Sequence, residues 1–372
     1  MKKRIGIIFG GNSVEHEISI LSLIQASHAI NTYKYEVLPI YLTKDGQFWV
    51  GPNFTDLKTF QKENFKHYRI TFYKEDKVLM IKGIGRLPRK YRKPLDVILP
   101  IVHGKNVEDG SLAGYFKILD TAYASSDTLV AALFQDKFYT KKLLVLDDIS
   151  VLPYLFYTIS DFKINKDLLL DEIEKFDYPV IIKPVSLGSS IGIKIAENRE
   201  ELLAGINYAF KYEDRILIEK KLINFKEFNQ AVLEKNGDYE LSEIEEVKSE
   251  NAYLTFSDKY LPSSSSHQIP ALIPTKLQAE ISNISIRIAK GHFIGGVIRI
   301  DYLYNCDEKK IYVNEVNTIP GSLAYYLFED QMGFADLIDQ MITSALKIKY
   351  KNDLKLNSFK SMVLSTTKLL KK

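Results

Sequence analysis

Arg299-Ile300-Asp301-Tyr302-Leu303-Tyr304-Asn305-Cys306-Asp307-Glu308-Lys309-Lys310-Ile311-Tyr312-Val313-Asn314-Glu315-Val316-Asn317-Thr318-Ile319-Pro320-Gly321 decides the reading of this chain. The pattern predicts a hairpin, with Val297–Tyr304 as one strand, Asn305–Lys309 as the turn and Lys310–Val316 as the return. Side chains two apart on a strand share a face. Arg299 and Asp301 therefore point the same way, as do Glu315 and Asn317 on the partner. Two carboxylates, an amide oxygen and a guanidinium meet on one small surface. Hard oxygen ligands of this kind suit Mg²⁺, which takes a few protein oxygens and completes its shell with phosphates and water. A neighbouring arginine suits a transferring phosphoryl group. The plainer alternative is a salt-bridged hairpin on a sheet surface.

Outward from this hairpin, a second segment carries phosphate chemistry. Lys183-Pro184-Val185-Ser186-Leu187-Gly188-Ser189-Ser190-Ile191-Gly192 places a lysine at the end of the strand Pro179–Pro184, followed at once by a Gly/Ser loop. Backbone amides of such a loop cradle phosphate oxygens, and Lys183 neutralises them. The sequence has no G-x-x-x-x-G-K-[ST], so this is not a P-loop. Glu219-Lys220-Lys221-Leu222 closes the apolar strand Ile216–Lys220. Backbone there reads an adenine edge and Glu227 accepts from ribose hydroxyls, or the segment is simply a charged surface loop; spacing does not choose between these.

The N-terminal part reads strand, Gly turn, helix, strand: Ile5–Phe9, then Gly10-Gly11-Asn12-Ser13, a helix capped by Ser13 and running to about Ile30, then Val37–Leu42. Val97–Val102 is another strand, followed by His103-Gly104. This is the pattern of an open parallel sheet, interrupted by Gly51–Lys93, whose Tyr68–Ile81 part reads as a hairpin. Ligands of such sheets bind at strand C-terminal ends, which is where His103 stands. Glu15 lies in the first helical turn, where it serves either helix electrostatics or a substrate ammonium. Further elements are a helix over about Ser126–Leu146 containing Asp136-Lys137, helices at Arg199–Phe210, Leu277–Phe293 and Gly333–Leu346, and a sheet beginning at Glu227. Asp258-Lys259-Tyr260 beside the serine run Ser263–Ser266 reads as a lid, which excludes water from a reactive phosphoryl intermediate.

Bulk properties bound the rest. At 372 residues the chain suggests two or three domains. With 46% apolar and 26% charged residues it is globular rather than disordered. A net charge of +3 with dispersed basic residues gives no pointer to nucleic acid. The run Arg86–Lys93 reads as a solvated loop rather than an RNA or lipid contact. The lone cysteine, Cys306, allows no intramolecular disulfide and fits a reducing compartment. The apolar stretch after Met1-Lys2-Lys3-Arg4 is too short for a signal-peptide core, and no apolar run approaches membrane length. The expected location is the cytoplasm. His16, His28, His67, His267 and His292 show no metal-binding spacing.

Together these motifs resemble the D-alanine–D-alanine ligases of the ATP-grasp superfamily. The resemblance is collinear from Gly10 to about Phe328: Gly10-Gly11-Asn12-Ser13-Val14-Glu15-His16-Glu17-Ile18-Ser19, then His103-Gly104 through Glu108-Asp109-Gly110, then Arg299-Ile300-Asp301 with Asn314 through Gly321. It implies an α/β (α+β ATP-grasp) architecture, with an N-terminal open parallel sheet domain at 1–125 and two ATP-grasp subdomains, 126–221 and 222–372, sandwiching ATP. It implies ATP-driven joining of two D-alanine molecules through an acyl phosphate for peptidoglycan synthesis, with Mg²⁺ or Mn²⁺, in a homodimer that needs neither nucleic acid nor membrane.

By the same resemblance, Asp301, Glu315 and Asn317 bind the metal. Arg299 and the Gly321 amide hold oxyanion charge. Lys137, Lys183 and Lys259 contact ATP phosphates, and Glu219, Lys220, Leu222 and Glu227 the adenine–ribose side. Glu15 anchors the first D-alanine's ammonium with His103 nearby, Ser189 and Tyr260 link Glu15 to the lid, and Tyr326 and Leu327 line the second D-alanine's site. Four features depart from the family's pattern. Lys105-Asn106-Val107 replaces a glycine-containing step, and Asn224-Phe225-Lys226 replaces a glycine turn. The lid ends in serines, and Tyr326 stands where a serine commonly grips the second substrate's carboxylate. Tyrosine at 260 favours an amine acceptor over a hydroxy acid.

Overall fold

A computed structural model describes residues 2–62, 65–249 and 265–355. Among them, three sheets form in chain order. The first contains β1 (Lys3–Gly10), β2 (Tyr35–Leu42), β3 (Phe48–Val50), β4 (Tyr68–Glu75), β5 (Val78–Gly83), β6 (Val97–Val102) and β7 (Ala122–Tyr123). Its order is β5-β4-β3-β2-β1-β6-β7. The strands β2-β1-β6-β7 are parallel, as the strand–turn–helix pattern required. The sheet as a whole is mixed. The Tyr68–Ile81 hairpin does not stand apart as an insertion, but joins through β3 as an antiparallel extension. The reason lies in its inward side chains: Ile70, Phe72, Leu79 and Ile81 are buried and share one core with Leu38 and Ile40 of the parallel strands.

The second sheet holds β8 (Tyr154–Thr158), β9 (Val180–Pro184), β10 (Lys194–Ala196) and β11 (Arg215–Lys220), in the order β10-β9-β11-β8. The third holds β12 (Phe225–Lys235), β13 (Asp238–Ser249), β14 (Ser265–Gln268), β15 (Val297–Asn305) and β16 (Lys310–Asn317), in the order β14-β13-β12-β15-β16. The quoted hairpin is β15–β16, with Arg299 opposite Asn317 and Asp301 opposite Glu315. Helix Thr275–Gly291 covers one face of this sheet through Leu277, Ile281, Ile284 and Ile288. The serine run is not wholly loop, because Ser265 and Ser266 pair with Ser249 and Lys248.

Three helical expectations shift. The first helix begins at His16, not at Ser13. The Ser13 hydroxyl accepts from the Glu15 N–H (3.0 Å) and shapes the turn ahead of the helix. The helix expected over Ser126–Leu146 is two helices, Thr128–Gln135 and Lys137–Leu146. Asp136 breaks it: its backbone is extended, and its carboxylate caps the second helix through the Phe138 and Tyr139 N–H groups while pairing with Arg215 at 2.6 Å. Helix Phe334–Asp353 is longer than expected, and its Leu337, Ile338 and Met341 pack into the core of the first sheet beside Ile5, Ile7 and Leu99.

Candidate active site

The Gly10-Gly11 turn and the His103-Gly104 turn are pressed together. A Cβ on Gly11, at φ +87°, would meet the His103 carbonyl oxygen at 2.7 Å. Only glycine adopts this conformation cheaply and leaves that space. The contact sets Glu15 beside His103: the His103 Nδ1 lies 3.6 Å from Glu15 and 3.7 Å from Glu108. Burial works against a charged imidazole, but the two carboxylates outweigh it and hold the His103 pKa above its ordinary value. Its Nε2 is buried with no hydrogen-bond partner among the described residues. Ser189, on the Gly/Ser loop, donates a short hydrogen bond to Glu15 and so ties the second sheet's loop to the first sheet's edge. Two carboxylates around one imidazole make this end of the site attractive to an ammonium group.

The opposite wall is the β15–β16 hairpin. Arg299 donates to both oxygens of Asp301, from Nε at 2.7 Å and Nη2 at 2.9 Å, and Asn317 donates to the same carboxylate at 3.1 Å. Burial opposes the guanidinium's charge, yet Asp301, Tyr326 and Glu245 together hold its pKa well above the usual range. Glu15, His103, Ser189, Arg299, Asp301 and Glu315 all line one cavity of about 610 Å³, and Asn317, Gly321 and Tyr326 line it too. Asp301, Glu315 and Asn317 supply hard oxygen ligands from adjacent strands, which fits Mg²⁺. Among the described residues, no group of three or more His, Cys, Asp or Glu gathers as a self-sufficient metal cage.

A second cavity of about 100 Å³ shares Lys137, Ser189, Asp301 and Glu315 with the first and adds Lys183, Glu219, Lys220, Leu222 and Glu227. Glu219, expected on the adenine–ribose side, lines this second cavity. It is fully buried, at 0% exposure, with Lys141 and Lys183 each at 2.5 Å. Burial would raise its pKa, but the coulombic pull of the two lysines carries it down to about 2. Burial and the neighbouring Lys183 push the Lys141 pKa down against the pull of Glu219, and two lysines facing one carboxylate make this wall suited to an anionic ligand. Lys141 went unmarked in the sequence; its signal was the four-residue spacing from Lys137, which puts both on one face of the helix Lys137–Leu146. Lys137 itself donates to the Leu187 carbonyl at 2.6 Å.

Leu327 departs from expectation. It is 1% exposed in the core with Leu323 and Phe328, and only Tyr326 reaches the cavity. Ser322, Leu323 and Ala324 all have φ near +50°, and this left-handed turn swings Tyr326 outward and Leu327 inward. Asp258, Lys259 and Tyr260 of the expected lid lie outside the described residues. Glu245, Asn229 and His267 line the cavity although no motif singled them out.

A family model described as D-ala D-ala ligase C-terminus matches residues 143–343, and one described as D-ala D-ala ligase N-terminus matches 4–126. The chain belongs to the D-alanine–D-alanine ligase family. The D-alanine–D-alanine ligase of Thermosipho melanesiensis is 34% identical over 352 residues, covering 92% of this chain and 93% of that protein. Among solved structures, the D-alanine–D-alanine ligase from Coxiella burnetii superposes with TM-score 0.80 at 25% identity, covering 95% of this chain and 96% of its own. VanG D-Ala:D-Ser ligase from Enterococcus faecalis superposes with TM-score 0.78 at 29% identity, covering 93% and 100%. Within the family's architecture, the 610 Å³ cavity lies where residues of all three sheets and their loops converge.

Proposed function

We propose that the chain is an ATP-dependent D-alanine–D-alanine ligase of peptidoglycan precursor synthesis, and that the residues of the two cavities divide the reaction as follows. Glu15, with His103 beside it, takes the ammonium of the first D-alanine. The nucleotide's base and ribose occupy the smaller cavity against Lys220, Leu222 and Glu227. Its phosphates run toward Lys137 and Lys183, and Lys259 is the third lysine assigned to them. Glu219, on the adenine–ribose side, holds Lys141 and Lys183 in place. Asp301, Glu315 and Asn317 hold Mg²⁺, for which Mn²⁺ substitutes. When bound, the metal neutralises phosphate charge.

The first D-alanine's carboxylate oxygen attacks the γ-phosphorus and ADP leaves, giving an acyl phosphate. The deprotonated amine of the second D-alanine then adds to the acyl carbon, and the tetrahedral species collapses with loss of phosphate. Arg299 and the Gly321 amide stabilise the developing oxyanion. Ser189 and Tyr260 link Glu15 to the lid, and Tyr326 borders the second D-alanine, with Leu327 packed behind it.

The observation that carries this reading is the shared cavity, with an anionic end at Glu15–His103–Glu108 and a cation-and-carboxylate end at Arg299–Asp301–Glu315. We further infer a homodimer working in the cytoplasm, with units 1–125, 126–221 and 222–372. Each unit contains one of the three sheets. The free Cys306 suits a reducing compartment, and no helix among the described residues is long and apolar enough to cross a membrane. The test is phosphate release with Mg-ATP and D-alanine, L-alanine, D-lactate or no substrate, with the product identified by mass. Release that requires D-alanine and yields D-alanyl-D-alanine is expected. Release independent of D-alanine, or none in protein that binds ATP, overturns the reading.

A further inference from the structure

The carboxylates Glu315 and Asp301 continue into a row that crosses four strands of the third sheet. Glu315 stands opposite Asp301, Asp301 opposite Asn229, and Asn229 opposite Glu245. Directly paired residues share a face, and strands lie about 4.8 Å apart, so Glu245 stands roughly 10 Å from Asp301. Glu245 is at 0% exposure. Its Oε2 accepts from the Asn229 amide at 2.8 Å and from the Tyr326 hydroxyl at 3.1 Å, and its Oε1 lies 2.6 Å from the His267 Nδ1. All four residues line the 610 Å³ cavity.

The direction of the Tyr326 hydrogen bond matters. Burial raises the phenol's pKa far above its ordinary value, so the oxygen keeps its proton. Burial also raises the carboxyl's pKa, but His267, Asn229 and Arg299 overcome this and keep Glu245 ionised. A carboxylate cannot donate, so the phenol does. The hydroxyl's one proton is then committed to Glu245, and what it offers the cavity is a lone pair. A charged partner polarises that oxygen and strengthens it as an acceptor. A serine-like grip on a substrate carboxylate needs a donor, which this hydroxyl no longer supplies.

Resting on the ligase reading above, we propose that Glu245 is a positioning residue of the second-substrate site: it fixes the Tyr326 hydroxyl as a hydrogen-bond acceptor that receives the amine of the incoming D-amino acid. The amine must be aimed at the acyl carbon before it can add, and a fixed acceptor on one of its N–H bonds does this. Asn229 and His267 hold the carboxylate from two further strands, so the phenol oxygen stands on sheet rather than on a mobile loop.

The experiment measures the Michaelis constants for the first and second D-alanine and for ATP in the wild type, Tyr326→Phe, Glu245→Gln and the double variant, with thermal melting alongside. Tyr326→Phe and Glu245→Gln are each expected to raise the second-site constant about tenfold, the loss of one charge-assisted hydrogen bond. The first-site and ATP constants should move less than about twofold. The double variant should resemble Tyr326→Phe alone, because the two act as one unit. Additive effects, or constants for both D-alanine sites rising together, overturn the proposal and leave Glu245 a fold residue. If Glu245→Gln fails to fold, Tyr326→Phe, which removes one oxygen atom, decides alone. Wild-type protein without D-alanine-dependent turnover overturns the ligase reading and this proposal together; active wild type with an unmoved second-site constant overturns only the proposal.

Discussion

Glu219 and Glu245 are both carboxylates at 0% exposure, one in each cavity wall, and they are held ionised in opposite ways. Glu219 is clamped by two ammonium groups at 2.5 Å. Glu245 has an amide, a phenol and one imidazole. The first arrangement sets two lysines against one carboxylate and suits an anion. The second balances the carboxylate with His267 in contact and Arg299 through space, and it directs the donors around it. The buried carboxylate of the smaller cavity thus organises two lysines, whereas that of the larger cavity gathers a mixed set, an amide, a phenol and an imidazole that it draws toward its charged form.

The comparison breaks most readily at Glu219. Glu219→Ala abandons two buried ammonium groups, and loss of one partner of such a cluster costs about 3–5 kcal/mol. Urea or thermal unfolding should show it. A melting temperature equal to wild type would mean that the lysines are not held by this residue.

Close behind comes the metal face. Glu315→Ala should lower Mg-ATP-dependent turnover about 10²–10³-fold while circular dichroism stays native. Wild-type-like turnover would remove Glu315 from the metal site. Smaller again is Ser189→Ala, which deletes the bond to Glu15. A loss of about 1.5–3 kcal/mol in transition-state stabilisation, seen in kcat/KM for the first D-alanine, is expected. An effect confined to the ATP constant would place Ser189 elsewhere.

The subtlest prediction is the pH dependence. Glu219 has a folded pKa of about 2, below its ordinary 4.5. Its contribution to stability is therefore present above the unfolded value and lost as pH falls from about 4.5 toward 2. His103, with a raised pKa, contributes in the opposite sense: its share is full below 6.5 and lost as pH rises through its higher folded value. Subtracting the Glu219→Gln and His103→Asn stability curves from wild type should reveal an acid-side and a neutral-to-alkaline loss respectively. Curves that run parallel to wild type across both windows would contradict the two shifts.

Much of this was legible before any fold was known. Period-two alternation placed Arg299 with Asp301 and Glu315 with Asn317, and the register bears that out pair for pair. The parallel core of the first sheet followed from apolar strands broken by glycine turns. Asp136 was misread because its helix-breaking role depends on Arg215, a residue far along the chain. The mixed character of the first sheet was hidden for a related reason. The alternation of β4 and β5 announces a hairpin, but which sheet it joins depends on the core it completes.

Local pattern by itself determined which side chains share a face on the carboxylate–arginine hairpin, and it marked the Lys183 loop and Glu15 as candidates. Only tertiary structure decided what Glu219 and Glu245 do, because a carboxylate's role in the interior is set by the partners that other strands bring to it. Lys141 reaches Glu219 from a helix in the preceding segment. Asn229, His267 and Tyr326 reach Glu245 from two strands and a left-handed turn. Spacing along one segment carries the first kind of information. The second depends on sheet register and on the turn after Gly321, which the chain settles only when its distant parts pack.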